Sequence, residues 1–142
     1  MQLKDSVGYL ISNTGRRLNQ RLQQLFQDHD VTPEQWSLLI CLDEHDGITH
    51  KDLAQRTEKD PANITRLVDQ LERKSLVRRA ANPHDRRSQL IYVTDQGRSS
   101  ARTLAPVERA FVEHIIKDIT EDEIRAFKRF IAKINQNAEQ HQ

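Results

Sequence analysis

Two adjacent arginines and a nearby carboxylate, in the stretch Asn82-Pro83-His84-Asp85-Arg86-Arg87, are the residues of this chain best suited to binding an anion. The guanidinium group is planar, donates hydrogen bonds in a fixed fork and is weakly hydrated, so it suits phosphate and the narrow minor groove of DNA. We interpret Asp85 as the residue that pairs with one arginine and fixes the shape of the loop. The other arginine is then free to enter the groove, and the sequence leaves open which of Arg86 and Arg87 does so. The alternative is a charged turn that is merely exposed.

The elements around these arginines form a recognisable order. Segments of β-strand character, 76–79 and 89–93, lie on either side, and Asn-Pro favours a turn between them, so the sequence predicts a β-hairpin. Upstream, Thr49 begins a short predicted helix over 50–57, and Asp60-Pro61 begins a second that runs to about residue 74. A tight turn joins the two, which is the layout of a helix-turn-helix in which the second helix reads DNA. With the hairpin as a wing, the sequence predicts a winged helix.

The second short helix has a polar face opposite its apolar stripe. Asn and Arg side chains near a helix N-terminus, here Asn63 and Arg66, pair bidentately with adenine and guanine edges. Small or methyl-bearing side chains can touch a thymine methyl group, and flanking cations can hold phosphates. The outward residues are Ala62, Asn63, Thr65, Arg66, Asp69 and Gln70, and the flanking cations are Lys59, Arg73 and Lys74. Taken alone, a solvated helix face explains this pattern equally well, and the adjacent hairpin favours DNA reading.

Helices are predicted on both sides of this region. Apolar residues at three- and four-residue steps indicate a long first helix from Leu3 to about 28–30, and a capping box at 32–35 begins the next. A long helix follows Thr94, and a second capping box at 120–123 begins a final amphipathic helix. The polar segment 135–142 is expected to fray.

The fold class predicted is therefore mainly α with a small β-hairpin wing: a winged helix-turn-helix with dimerisation helices at both termini. We predict one protomer over residues 1–142, with a DNA-binding region at about 32–102 and a helical dimerisation region at about 1–30 and 104–142. The terminal helices carry more apolar residues than one slim protomer can bury, and a homodimer resolves this. An intramolecular helical bundle is the alternative.

Composition limits the function further. The chain has 142 residues, 36% hydrophobic and 30% charged, with no apolar run of membrane-spanning length and no signal peptide, so we expect a cytoplasmic protein without a membrane partner. Its net charge is +1, but residues 48–102 hold twelve Lys and Arg against seven Asp and Glu, a local excess that suits double-stranded DNA. Paired carboxylates, a phosphate loop and a metal cage are not apparent, which argues against an enzyme and against a cofactor.

A longer motif extends the hairpin. Asp85-Arg86-Arg87, five further residues and then Val93-Thr94-Asp95-Gln96-Gly97 reproduce the D-x-R-x5-V-T-x-x-G signature, so the chain resembles the MarR family (multiple antibiotic resistance regulators) over nearly its whole length. The resemblance implies a homodimeric winged-helix transcription factor, usually a repressor of a pseudopalindromic operator, and often one released by a small aromatic ligand. It places Asp85 and Arg87 at the D-x-R positions, and puts Ala62, Asn63, Thr65 and Arg66 on the base-reading helix. The rival hypothesis is a winged-helix protein-interaction module that does not read DNA.

An effector site is also implied by the resemblance, between the dimer helices and the winged helix. Because an aromatic carboxylate needs an apolar slot and a cation, Tyr9, Ser12, Arg16 and Trp36 are its predicted liners. We favour the alternative, in which Trp36 is plain core and Arg16 plain surface.

Redox or metal sensing is the remaining possibility for the second predicted helix. Cys41 and His45 lie four residues apart there, which would suit such a sensor. We favour a buried structural cysteine, because the reactive cysteine of the family's peroxide sensors lies near the start of the first helix and this chain has none there. We predict no metal site, because the histidines are scattered.

Overall fold

The computed structural model describes residues 2–141, and these residues contain six α-helices and three short strands. The helices and strands, in chain order, are α1 (Val7–Phe26), α2 (Pro33–Glu44), β1 (Ile48–Thr49), α3 (His50–Thr57), α4 (Pro61–Arg73), β2 (Val77–Ala81), β3 (Gln89–Val93), α5 (Asp95–Ile115) and α6 (Glu121–Gln140). Short 3₁₀ turns at Leu3–Asp5 and Gln27–His29 border α1. The predicted order of elements, mainly helical with a hairpin, is confirmed.

Polar caps explain why the helices begin where the sequence predicts. Thr32 and Thr120 each accept a hydrogen bond from the backbone N–H three residues on, and the side chain at that third position bonds back to the cap, which completes a capping box. Thr49 and Asp60 cap α3 and α4 in the same way without the return bond. These local bonds satisfy backbone donors that a helix start leaves free. Caps of this kind can be read directly from the sequence.

The three strands form an antiparallel sheet in the order β1-β3-β2. In the hairpin, Val77 pairs with Val93 and Ala81 with Gln89, so the connecting loop spans residues 82–88. The sequence does not predict β1, which contributes only two residues and pairs Ile48 with Ile91 at the edge of the hairpin. This pairing attaches the wing to the start of α3.

A single apolar core holds the helix-turn-helix together. The left-handed backbone at Glu58 (φ 55°) makes the sharp turn from α3 to α4, and the N–H of Lys59 donates to the carbonyl of Ala54 across it. The largest fully buried side chains are Phe26, Leu38, Leu39, Leu42, Leu53, Ile64, Leu67, Val68, Leu71, Ile91 and Leu104. They come from α1, α2, α3, α4, β3 and α5, so helix α4 is fixed by apolar contact along its inner face.

The chain divides into two compact units, residues up to Arg109 and residues from Ala110 onward. In the second unit, α6 is amphipathic but buries none of its described residues, and Phe127 and Phe130 are exposed. The helix continues to Gln140. The expectation that residues 135–142 fray is therefore wrong for residues 135–140. The reason is that no glycine or proline interrupts α6. Over residues 2–141, no helix combines the length and apolar character that crossing a membrane requires.

Candidate nucleic-acid interface

Helix α4 presents a polar face to solvent because its apolar side is committed to the core. Asp60 accepts a hydrogen bond from the N–H of Asn63 (2.9 Å), and Pro61 occupies the first helical position. Ala62, Thr65 and Arg66 are exposed, whereas Asn63 is half-buried. The structure therefore brings the predicted base-reading residues together on one face near the helix N-terminus, where the backbone donors also point outward.

The polar side chains of α4 make contacts within the protein. Arg66 donates through Nη2 to Oδ1 of Asn63, and the same nitrogen donates to Oε2 of Glu34 on α2 at 3.2 Å. The hydroxyl of Thr65 donates to the carbonyl of Pro61 at 3.1 Å, which leaves its methyl group as the apolar part of the exposed surface.

The flanking cations differ in how they are used. Lys59 precedes α4 and is half-buried, and Arg73 is exposed with its Nε donating to the carbonyl of Asp69 at 3.3 Å. Lys74 has another role, because its ammonium donates to the carbonyl of Asp30 (2.7 Å) and to Oε1 of Gln35 (2.9 Å). The sequence suggested Lys74 as a phosphate contact, whereas the structure uses it as an internal brace.

Gln35 is the centre of that brace and is the one buried polar residue among residues 2–141, with 3% of its surface exposed. Its carboxamide oxygen accepts from Lys74 and from the N–H of Thr32, and its amide nitrogen donates to Gln70 of α4 at 3.0 Å. A buried amide with its partners in place orients the elements that it joins. This network fixes helix α4 against the start of α2.

Hydrogen bonds within the loop shape the tip of the wing. The Asn82 side chain donates to the hydroxyl of Ser88 (2.9 Å) and accepts from the N–H of His84 (3.0 Å). The Asp85 carboxylate accepts from the N–H of Arg87 at 2.9 Å, and the same oxygen lies 3.7 Å from Nε of Arg87. Asp85 therefore pairs with Arg87 rather than with Arg86, and the Arg87 side chain stays 93% exposed.

Arg79, which the sequence analysis did not select, connects the wing to helix α4. Arg79 on β2 donates to Asp69 and, at 2.7 Å, to Glu72, both on α4, and only 19% of its side chain is exposed. The hydrogen bond from Arg79 lowers the pKa of the Asp69 carboxyl. The relevant signal in the sequence is a pair of carboxylates three residues apart on the polar face of α4, but it does not identify the strand residue that meets them.

A cleft of about 510 Å³ lies between the start of α3, helix α4 and the wing. His50 and Arg87 line it with Thr49, Lys51, Thr65, Asp85, Ser88 and Gln89. Burial, and then the nearby Arg79 guanidinium, lower the pKa of His50, so the imidazole is neutral near pH 7. The lining combines two cations, Lys51 and Arg87, with one carboxylate, Asp85, hydroxyl groups and a helix N-terminus. The cations outnumber the carboxylate, so the cleft suits phosphate.

The V-T-x-x-G part of the sequence signature, Val93 to Gly97, joins the wing to α5. The N–H of Thr94 donates to the carbonyl of Leu76 (3.0 Å), its hydroxyl donates to the carbonyl of Ser75 (2.8 Å), and that hydroxyl oxygen accepts from the N–H of Gly97 (3.0 Å). Gly97 is required by space, because an added Cβ would lie 2.0 Å from the oxygen of Leu76. Thr94 and Gly97 thus close the base of the wing onto α5.

The predicted effector residues are found in different surroundings. Tyr9, Ser12 and Arg16 are exposed on α1. Trp36 is half-buried: its indole N–H donates to the carbonyl of Ala101 (3.1 Å), and its ring meets Phe26 edge to face. A larger cleft of about 690 Å³ lies between α1, the start of α2 and α4, and none of these four predicted residues lines it.

The cysteine has the surroundings of a structural residue. Cys41 is half-buried and packs against the core, and burial raises the pKa of its thiol, which keeps the thiol protonated. His45, four residues later, is exposed. Within residues 2–141, no group of three or more His, Cys, Asp or Glu side chains is arranged to hold a metal ion.

The fold is that of a winged helix-turn-helix protein. The MarR family model matches residues 31–89, which run from just before α2 to the first residue of β3. The chain is 26% identical over 138 residues to the HTH-type transcriptional repressor MdtR of Bacillus subtilis (strain 168), covering 97% of this chain and 89% of that protein. The matched residues make up less than half of the chain, so the chain resembles the MarR family of transcriptional regulators over its central region.

Solved structures agree on the fold. The crystal structure of the S. aureus MepR–DNA complex superposes with a TM-score of 0.87 at 23% identity, covering 94% of this chain and 98% of that chain. The transcriptional repressor CouR, bound to a 23-mer DNA duplex, superposes with a TM-score of 0.81 at 25% identity and covers 94% of each chain. The winged-helix class predicted from the sequence is confirmed.

Proposed function

We propose that this chain is a transcriptional repressor that binds a pseudopalindromic operator as a homodimer, in the cytoplasm where the chromosome lies. The observation that carries the proposal is the Arg79 link, because it ties the wing to α4 and so holds together the two elements proposed to contact DNA. A reader helix in the major groove and a wing over the adjacent minor groove need a fixed separation. One protomer would contact a half-site, and two protomers would make the contact specific.

Base reading is assigned to the N-terminal face of α4. Arg66 and Asn63 have the donors and acceptors for bidentate contact with guanine and adenine, and the Thr65 methyl group and Ala62 offer apolar contact to thymine. Lys59 and Arg73 would hold phosphates on either side of that helix, since one precedes it and the other lies in its last turn.

The wing is assigned to the minor groove. Arg87, the arginine that Asp85 pairs with, replaces the unpaired arginine of the sequence argument as the inserted side chain, because its side chain is 93% exposed and its Nε lies 3.7 Å from Asp85. Asp85 holds the backbone of Arg87 and lies near its Nε, while the rest of the guanidinium remains open to solvent. Asp85 is thus a positioning residue. Arg86, which makes no ion pair among the described residues, would contact the phosphate backbone.

Dimerisation is supported by apolar side chains that their own unit leaves exposed. In the first unit they lie at the start of the chain, and in the second unit on and before α6. They are Leu3, Val7, Leu10 and Ile11, and Ile119, Phe127 and Phe130. Exposed apolar surface of this kind marks an interaction site on each unit, and a second copy of the chain is the partner that two-fold operator symmetry requires.

Release from DNA by a small aromatic acid is the remaining part of the proposal. Tyr9, Ser12 and Arg16 would supply ring and cation contacts from α1, and Trp36 would offer its ring face, since its N–H already bonds to Ala101. Such a ligand acts only by preferring a conformation that does not match the operator, so ligand and DNA must weaken each other equally. Titration of aromatic acids with and without operator, followed by tryptophan fluorescence, measures this coupling, and equal affinity in both cases would remove the regulatory role.

The test of DNA binding is fluorescence anisotropy with labelled duplexes at several salt concentrations. We expect Arg66→Ala to cost about 1–3 kcal/mol on the best site and to relax base preference there. Arg87→Ala should weaken binding to all sequences and reduce the salt slope by about one. Lys117→Ala, which removes one charge from the second unit, is the control and should change neither. A wild-type protein that failed to bind any duplex at low salt would instead favour a protein-interaction module.

A further inference from the structure

The guanidinium of Arg66 is engaged at a single nitrogen by two acceptors. Its Nη2 donates to Oδ1 of Asn63, one turn back on α4, and to Oε2 of Glu34 at 3.2 Å, in the first turn of α2. Both members of the Arg66–Glu34 pair are partly exposed, at 54% and 45% of their side chains. Glu34 lies outside the helix-turn-helix, and the sequence pattern gives it no role beyond the helix cap.

This nitrogen controls how Arg66 can recognise a base. A guanidinium offers two edges with paired donors, one formed by Nε and Nη2 and the other by Nη1 and Nη2. Nη2 is common to both edges, with one hydrogen directed along each. Asn63 and Glu34 both accept hydrogen bonds from this nitrogen. Arg66 therefore cannot make a two-bond contact with guanine until one of these two hydrogen bonds breaks. Asn63 is masked by the same contact, since its carboxamide oxygen is occupied.

We propose that Glu34 is a specificity-determining residue that competes with DNA for Arg66. In the free protein it holds the guanidinium against α2, and binding to the operator replaces the carboxylate with a base edge. This inference rests on the proposed function, because it requires Arg66 to read a base. Glu34 thereby lowers the affinity that Arg66 alone would give and reserves that side chain for a partner able to displace a carboxylate.

The exposure of the pair sets the size of the effect. Partly exposed ion pairs of this kind are weak, and releasing one corresponds to a change in DNA affinity of roughly two- to fivefold. Glu34→Gln keeps the length of the side chain and removes the charge, so it should tighten operator binding by that factor. Removing any carboxylate near DNA also reduces general repulsion, so the gain must be separated from this background.

A double-mutant cycle makes the separation. The operator affinities of wild type, Glu34→Gln, Arg66→Ala and the double variant are measured at one salt concentration, with thermal melting of each variant as a folding check. Glu58→Gln is the matched control, because Glu58 is an exposed carboxylate in the turn before α4. We expect the gain from Glu34→Gln to disappear in the Arg66→Ala background, whereas any gain from Glu58→Gln persists there.

Two kinds of result would overturn the proposal. Weaker or unchanged operator binding by Glu34→Gln would mean that Glu34 does not compete for Arg66, and an equal gain with and without Arg66 would reduce Glu34 to general repulsion. Failure of the proposed function is recognised separately: wild type would then not discriminate the operator from random duplex, or Arg66→Ala would bind the operator as tightly as wild type.

Discussion

Replacing Gly97 with alanine tests how the base of the wing is closed. Gly97 lies in the first turn of α5, against the point where the chain enters β2. An added Cβ would lie 2.0 Å from the carbonyl oxygen of Leu76 and 2.9 Å from Cγ2 of Val93. The Leu76 oxygen cannot rotate away like a side chain, and it also accepts the N–H of Thr94 at 3.0 Å. Either the hydrogen bond or the packing of β3 must give way.

The expected cost follows from these contacts. Overpacking of a buried site costs about 1–3 kcal/mol, and disturbing the Thr94 hydrogen bond adds about 1 kcal/mol. The better helix propensity of alanine returns up to about 1 kcal/mol. We therefore expect Gly97→Ala to lower the free energy of unfolding by about 2 kcal/mol, the middle of a range of about 1–3 kcal/mol. For a chain of this size, that corresponds to a fall in melting temperature of roughly 6 °C.

Urea and thermal unfolding, monitored by circular dichroism at one protein concentration, measure this loss. Gly15→Ala is the matched control, because an added Cβ at Gly15 has nothing within 4 Å. We expect that variant to equal or exceed the wild type in stability. The reasoning would be refuted if Gly97→Ala were as stable as Gly15→Ala, since the carbonyl of Leu76 would then not close the base of the wing.

Three further predictions concern the interface and the termini. Arg79→Met should weaken binding to the operator more than binding to random DNA, since the wing and α4 lose their fixed separation; equal losses in an anisotropy titration would contradict this. Burial and Arg79 lower the pKa of His50, and we expect the imidazole to take up a proton as a DNA phosphate approaches. DNA affinity should therefore rise as pH falls below about 6.5, the ordinary pKa of histidine. His50→Gln should flatten that pH dependence. Hydrogen bonds from Thr120 lower the pKa of Glu123, so its contribution to stability is present above the unfolded value and lost as pH falls through the lower folded value; urea midpoints of wild type and Glu123→Gln should converge at acid pH.

Local chemistry explains which parts of the fold were predictable. Helix starts at Thr32, Thr49, Asp60 and Thr120 depend on side chains within three residues of the cap, so the sequence alone identifies them. The hairpin is likewise bounded by its own turn residues. Strand β1 was missed because two residues cannot show a periodicity, and its pairing with β3 depends on how α2 and α3 bring it there.

The candidate site was predictable in composition but not in its connections. The polar face of α4 and the arginines of the wing follow from the periodicity and the turn motif. Arg79 and Glu34 could not be identified in this way, because each contacts α4 only through the tertiary fold. Arg79 lies seven residues from its partner Glu72, and Glu34 lies 32 residues from its partner Arg66. Lys74 was suggested as a phosphate contact from its position at the end of α4, and the sequence could not show that its ammonium donates to Gln35. The individual DNA-contacting roles remain predictions.

Selection of binding sites from a pool of random duplex DNA, followed by sequencing, tests the central claim most directly. If two copies of this chain place their α4 helices in successive major grooves, the enriched sites should be two-fold symmetric, with half-sites centred about 10 base pairs apart. Repeating the selection with Arg66→Ala should relax base preference at matching positions in both halves. Enrichment of asymmetric or single half-sites, or no enrichment over the starting pool, would contradict the account.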